Sequence, residues 1–126
     1  MTTKTTPQRK RMNATKRADA LFSKLIRERD QRCRAAGYKL GCSTLLQCAH
    51  VVSRRYRSVR WDGDNAVALC AAHHVWFTHH PLEWEDWCWS SGVDIPSVRY
   101  KALNGPTEKA VDALVRLRAL SEEIDR

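Results

Sequence analysis

Residues 60–84 read RWDGDNAVALCAAHHVWFTHHPLEW. The short apolar run from Asn65 to Leu69 predicts a strand. Cys70 follows at once, and Ala71 to Thr78 has helical composition until Pro81, which cannot continue a helix. A strand that enters a helix through Cys70-Ala-Ala-His73 sets a thiol and an imidazole about one turn apart, within reach of one metal ion. Upstream, Leu45 to Val52 is apolar with β-branched residues and predicts the partner strand. The polar, arginine-rich stretch Ser53 to Asp64 joins the two. A strand pair running into a helix places the chain in the α+β class.

Working outward, Cys33 and Cys42 bracket a loop, Ala35 to Ser43, that holds two glycines. Together with Cys70 and His73 they complete a Cys3His set, which suits tetrahedral zinc. A closed set of this kind serves folding, because it leaves no coordination position open for chemistry. The knuckle Cys33–Cys42 has eight intervening residues, so Cys48 is a rival for Cys42. Cys42 is preferred, since strand alternation puts Cys48 on the same face as His50. The chain has five cysteines, an odd number, and its first 17 residues are polar and basic. That argues against a disulfide framework and for reduced thiols in a cytoplasmic protein. No run approaches the ~18 apolar residues of a membrane span, so no membrane partner is expected.

The flanks read as helices. Ala18, Leu21, Phe22, Leu25 and Ile26 recur at i, i+3, i+4 spacing, predicting an amphipathic helix from about Thr15 to Gln31. Residues 1–14 read as a disordered basic tail, and 15–126 as a single domain with a core at about 33–80 and a helical part at about 83–124. Within that part, Glu83 to Ser90 predicts a helix closed by Gly92, with Trp84, Trp87 and Cys88 as packing residues. Asn104-Gly105-Pro106 is a breaker. Thr107 then starts a last helix to about Ile124, with Ala110, Val111, Leu114, Leu117 and Ile124 on one side.

The formal charge is +8, and eleven of the 22 Lys and Arg fall within the first 34 residues beside three acids. Such a surface favours a polyanion, and nucleic acid is the usual one. Arg54, Arg55, Arg57 and Arg60 add four cations in seven residues and are expected to contact phosphates.

His50, Asn65 and His74 stand in the order His, Asn, His across strand, strand and helix, interleaved with the zinc ligands. In "LIRERDQRC" (25–33), "LQCAHVVSRR" (46–55), "RWDGDNAVALC" (60–70) and "CAAHHVWFTHHPLEW" (70–84), the chain resembles the HNH endonucleases, the ββα-metal nucleases. The style is phage-type, similar to the NinG/Rap recombination proteins of lambdoid phages. The resemblance spans a little under half the chain.

It implies a zinc-stapled ββα-metal, treble-clef-like core with flanking N- and C-terminal helices. It also implies metal-dependent hydrolysis of DNA phosphodiesters, with low sequence specificity or a preference for branched or nicked DNA. His50 would be the base that activates water. Asn65 would fix the hairpin and orient the His50 imidazole through its amide, and His74 would hold a catalytic Mg²⁺ or Mn²⁺. If the protein is phage-encoded, its place would be the bacterial host cytoplasm. The chain departs from the family at Ala49, where many members carry a metal-binding Asp or His. His79 and Asp64 are the candidates to fill that gap, with substrate oxygen and water as others. The alternative reading is a zinc-stabilised nucleic-acid-binding module that does not cut.

Overall fold

The computed structural model describes residues 7–124, with side chains from Asn13 onward. Its elements run α1 (Pro7–Asp30), β1 (Leu46–His50), β2 (Ala66–Cys70), α2 (Ala71–His79), α3 (Pro81–Ser90), α4 (Ile95–Asn104) and α5 (Ala110–Ile124). A single 3-10 turn at Gly63–Asn65 leads into β2. No described helix is long and apolar enough to cross a membrane.

The two strands pair antiparallel in the register Leu46↔Cys70, Cys48↔Ala68 and His50↔Ala66. Strand alternation then divides the molecule into two cores. Ala66 and Ala68 face α1 and α5, where they pack with Ala18, Phe22, Leu25, Ile26, Trp61, Ala113, Leu114 and Leu117. Ala49, Val67 and Leu69 face the opposite way, onto Cys70, Phe77, Trp87, Cys88 and Ile95 from α2, α3 and α4. Every residue of β2 is buried, as expected of a strand covered on both faces.

The end of α1 is clamped to β2. Arg29 donates to the carbonyls of Gly63 and Ala66 at 2.8 Å each, and Asp30 accepts from the Ala68 amide at 2.8 Å. Burial opposes ionisation of Asp30, but hydrogen bonds from Arg29 and Ala68 outweigh it and hold its pKa below the usual carboxylate value. The "RERD" signature is thus a clasp between helix and sheet. α1 stops at Gln31, which takes the left-handed conformation at φ 66°.

Three expectations need correction. The tail foreseen over 1–14 is helical from Pro7; residues 1–6 lie outside the described residues. Proline suits a helix start, and the Gln, Arg, Lys and Met that follow extend a packed helix at little cost. Second, α4 lies where no element was foreseen. Third, the buried side of α5 is Ala110, Ala113, Leu114 and Leu117, whereas Val111 and Ile124 are each 59% exposed. α1 covers only a narrow stripe of α5, so the outer residues of the apolar set face solvent.

Candidate functional site

Cys70 is the residue where β2 becomes α2. Its sulfur caps that helix, accepting from the His73 amide at 3.4 Å. One turn on, the fully buried His73 turns its Nδ1 back toward three sulfurs: Cys70 at 3.1 Å, Cys33 at 3.6 Å and Cys42 at 3.6 Å. The four ligand atoms lie within 4.8 Å of one another.

Tetrahedral bonds of about 2.3 Å to sulfur and about 2.0 Å to nitrogen set an N···S edge of about 3.6 Å. Two of the three N···S distances have that length. His73 Nε2 lies 2.8 Å from the Tyr38 carbonyl. A carbonyl can only accept, so the proton sits on Nε2 and the Nδ1 lone pair is left for a metal. Cys33, Cys42, Cys70 and His73 are therefore positioned to bind a metal ion, and the donor set fits structural zinc. Cys48, the rival of Cys42, lies on the α1 side of the sheet, away from the cluster.

The electrostatics already lean toward a thiolate at Cys70. Burial raises its pKa, yet hydrogen bonds from His73 and Ser43 bring it down to about 6. Cys42, by contrast, is pushed up to about 11 by desolvation and by its hydrogen bonds with the Cys70 and Cys33 thiols. Three clustered sulfurs repel as anions, and a cation among them removes that penalty.

His74 is the next residue along α2, rotated by about 100°. Its Nδ1 lies 2.8 Å from the Gln47 side-chain oxygen, which makes Nδ1 the donor and leaves Nε2 open. His50 and His74 line one cavity of about 500 Å³ together with Asp19, Ser23, Gln47, Cys48 and Arg54. They share a smaller one of about 90 Å³ with Ala49, Leu69, Phe77, Thr78 and Trp84. His50 packs against Phe22 with ring centroids 5.6 Å apart, and its Nε2 donates to the Arg60 carbonyl at 3.0 Å. Burial is the main cause that keeps the His50 pKa below 6.5, with Arg54 adding to it. The imidazole is neutral, with Nδ1 unprotonated. Burial also lowers the pKa of His74.

Asn65 fixes the hairpin, as expected, but its amide does not hydrogen-bond the His50 imidazole. It is fully buried, and its amide accepts from Val52 N at 2.6 Å and donates to Val52 O and Val59 O at 3.0 Å each. It therefore braces both ends of the 52–59 connection and does not touch His50. Arg60 is the residue that holds His50, so Asn65 acts on the imidazole only through the loop.

The four loop arginines also separate. Arg60 forms a two-pronged ion pair with Asp19, at 3.0 Å from Nε and 2.6 Å from a terminal nitrogen, and its side chain is only 16% exposed. This correction has a plain cause: the guanidinium is spent on a carboxylate and is not free for phosphate. Arg57 lies over the Trp61 ring at 5.7 Å. Arg54 lines the cavity 3.8 Å from Asp19, and Arg55 is exposed.

His79 and Asp64 do not fill the gap at Ala49. α2 continues through His79, so His79 stays about 140° from His74 and is exposed, lining neither histidine cavity. Asp64 lines a separate cavity with Arg29 and Lys101. The carboxylate that does reach the histidine cavity is Asp19, from α1. It also accepts from the Trp61 indole at 2.9 Å. Burial alone would raise its pKa, but Arg60, Trp61 and Arg54 together lower it. Its only sequence signal is one acid at the edge of the apolar face of α1.

Among the described residues, the Cys3His set is the one cluster of three or more Cys, His, Asp or Glu side chains within metal-ligand range. No family model matches the chain, and neither a curated protein nor a solved structure matches it.

Proposed function

We propose that the chain is a zinc-stapled endonuclease of the HNH, ββα-metal kind that hydrolyses DNA phosphodiesters with a divalent metal ion. The observation that carries this reading is the shared cavity: a neutral histidine from the strand and an open histidine nitrogen from the helix face the same space. The hairpin-then-helix frame around them is locked by the Cys3His set and by Asn65. The basic composition supports a phosphate-bearing partner.

His50 is the general base. Its Nε2–H is pinned to the Arg60 carbonyl, and its depressed pKa keeps Nδ1 free to take a proton from water at neutral pH. His74 Nε2 is the protein's ligand for a catalytic cation. Asp19, although spent on Arg60 and Trp61, is the one carboxylate lining that cavity, and a cation held by His74 would draw its remaining ligands from substrate and water oxygens. Such a cation supplies charge stabilisation at the phosphate and the leaving oxygen. Arg54, at the cavity wall, is the guanidinium placed to meet a phosphate there.

The rival reading, a zinc-stabilised module that binds nucleic acid without cutting, is favoured by the buried Ala49, which offers no ligand beside His50. Plasmid nicking with Mg²⁺ or Mn²⁺ decides between them. The wild type should nick and His50→Ala should not, although both bind DNA. A wild type that shifts DNA yet stays inert under every divalent metal supports the rival and ends the enzyme reading.

A further inference from the structure

Of the four loop arginines expected to contact phosphates, Arg60 is held by Asp19, whereas Arg54, Arg55 and Arg57 stay exposed. A second group of exposed cations lies on α1. Lys16, Arg17, Lys24 and Arg27 are all exposed, and among the described residues only Lys24 has a carboxylate partner, Glu28 at 3.8 Å.

At about 100° per residue, Ser23, Lys16 and Arg27 fall within about 40° of one another on the helix, and Lys24 and Arg17 follow within about another 80°. Ser23 is a wall of the histidine cavity. The cationic stripe therefore runs straight past that cavity, with Lys16 on one side of Ser23 and Arg27 on the other. Lys16 and Arg27 stand about 16 Å apart along the axis at about 1.5 Å per residue, a span over which duplex DNA presents about ten phosphate charges. The aromatic residues that pack on this stretch of α1, Phe22 and Trp61, are buried. The stripe thus lacks the stacking platforms that single-stranded nucleic acid uses.

We propose that this exposed face of α1 is the docking surface for the backbone of duplex DNA, and that it leads the duplex across the His50/His74 cavity. The proposal rests on the nucleic-acid reading above and names the element that carries the binding. α1 is tied to the catalytic cavity by Asp19 and Ser23 and to β2 by Arg29 and Asp30. A backbone held along α1 is therefore held in a fixed relation to His50.

The test is fluorescence-anisotropy titration of zinc-loaded protein with a labelled duplex, without added Mg²⁺ or Mn²⁺, over a series of salt concentrations. The double variant K16Q/R27Q keeps helix-forming side chains. It should lower the slope of log affinity against log salt by about 1.8, two phosphate contacts at about 0.9 each. R99Q/R118Q, in the acidic half, should leave the slope unchanged. Duplex should bind more tightly than a single strand of equal length.

The proposal is overturned if K16Q/R27Q keeps the wild-type slope, if the wild type shows no salt-dependent binding, or if the single strand is preferred. A protein whose slope responds as expected but which nicks no plasmid retains this surface and loses the nuclease reading. A nicking enzyme with an unchanged K16Q/R27Q slope retains the nuclease reading and loses this surface.

Discussion

His73 and His74 are adjacent in the chain and belong to two sites of opposite character. His73 is fully buried, its tautomer is fixed by Tyr38, and its partners are three sulfurs 3.1–3.6 Å away. His74 is half-buried, its second nitrogen is open, and its surroundings are a cavity with one neutral histidine, one arginine and one engaged carboxylate. The first site is a closed set of four donors, and the second has one open nitrogen on a residue that lines a cavity. One helix serves both, because a step of one residue turns the side chain by about 100°. In the proposed reading, a metal staple at the closed site holds still the element that presents His74 to the cavity.

The sharpest way to break this comparison is to attack the closed site. Cys70→Ala, or zinc removal by a chelator, should abolish cooperative folding. A structural zinc of this type contributes about 10 kcal/mol or more, which rivals the whole stability of a small domain. Thermal melting followed by circular dichroism reads this directly. His74→Ala should shift the same melt by less than about 1 kcal/mol, since a half-exposed side chain is lost and no buried ligand set is broken. Equal damage from both variants would erase the distinction between the sites.

Next in size is the brace between them. Asn65→Ala removes three hydrogen bonds from a fully buried side chain and leaves Val52 and Val59 groups unpaired, at a cost of about 3 kcal/mol. Zinc content at permissive temperature should stay at one equivalent, while nicking falls with the loss of the Arg60–His50 alignment. Asp19→Asn weakens the grip on Arg60 and should cost about 1–2 kcal/mol by chemical denaturation, with a larger proportional loss of nicking than of stability.

His50→Ala should cost about 1 kcal/mol of stability, through the lost Phe22 contact and Arg60 hydrogen bond, but reduce nicking about 10²- to 10⁴-fold. The wild-type nicking rate should have its acid limb below pH 6.5, because burial and Arg54 hold the His50 pKa down and the working form is neutral. The same depression makes the unfolded chain the better proton binder just below pH 6.5. The stabilising contribution of His50 is therefore complete above that value and is lost as pH falls toward the folded-state pKa. The smallest effect is expected at Cys48. Cys48→Ser should retain one zinc per chain by elemental analysis, whereas Cys42→Ser should lose it.

The closed site was readable in the sequence because its chemistry is carried by residue type and spacing. Cys and His at C-x2-H across a strand–helix boundary leave few other uses, and alternation along β1 was enough to prefer Cys42 over Cys48. The strand pair, α2 and most of α1 followed from apolar periodicity. α4 carries a start signal, Asp94 accepting from the Ser97 amide at 3.1 Å with Pro96 in the first turn, but its mixed composition gives only a weak apolar stripe. The open site was legible only in its histidines. Asp19 lies 41 residues from Arg60 in sequence, and nothing local marks it as the anchor of that arginine. The consumption of Arg60 inside the fold likewise depends on a tertiary contact that a run of cations cannot reveal.

The two-site arrangement on α2 is tested most directly by a crystal structure of the zinc-loaded protein soaked in Mn²⁺, with anomalous scattering collected to tell the two metals apart. Zinc is expected on Cys33, Cys42, Cys70 and His73, and a separate Mn²⁺ on His74 Nε2 inside the cavity that holds His50. A zinc site alone with no Mn²⁺ at His74, or Mn²⁺ found only within the cysteine cluster, would contradict it.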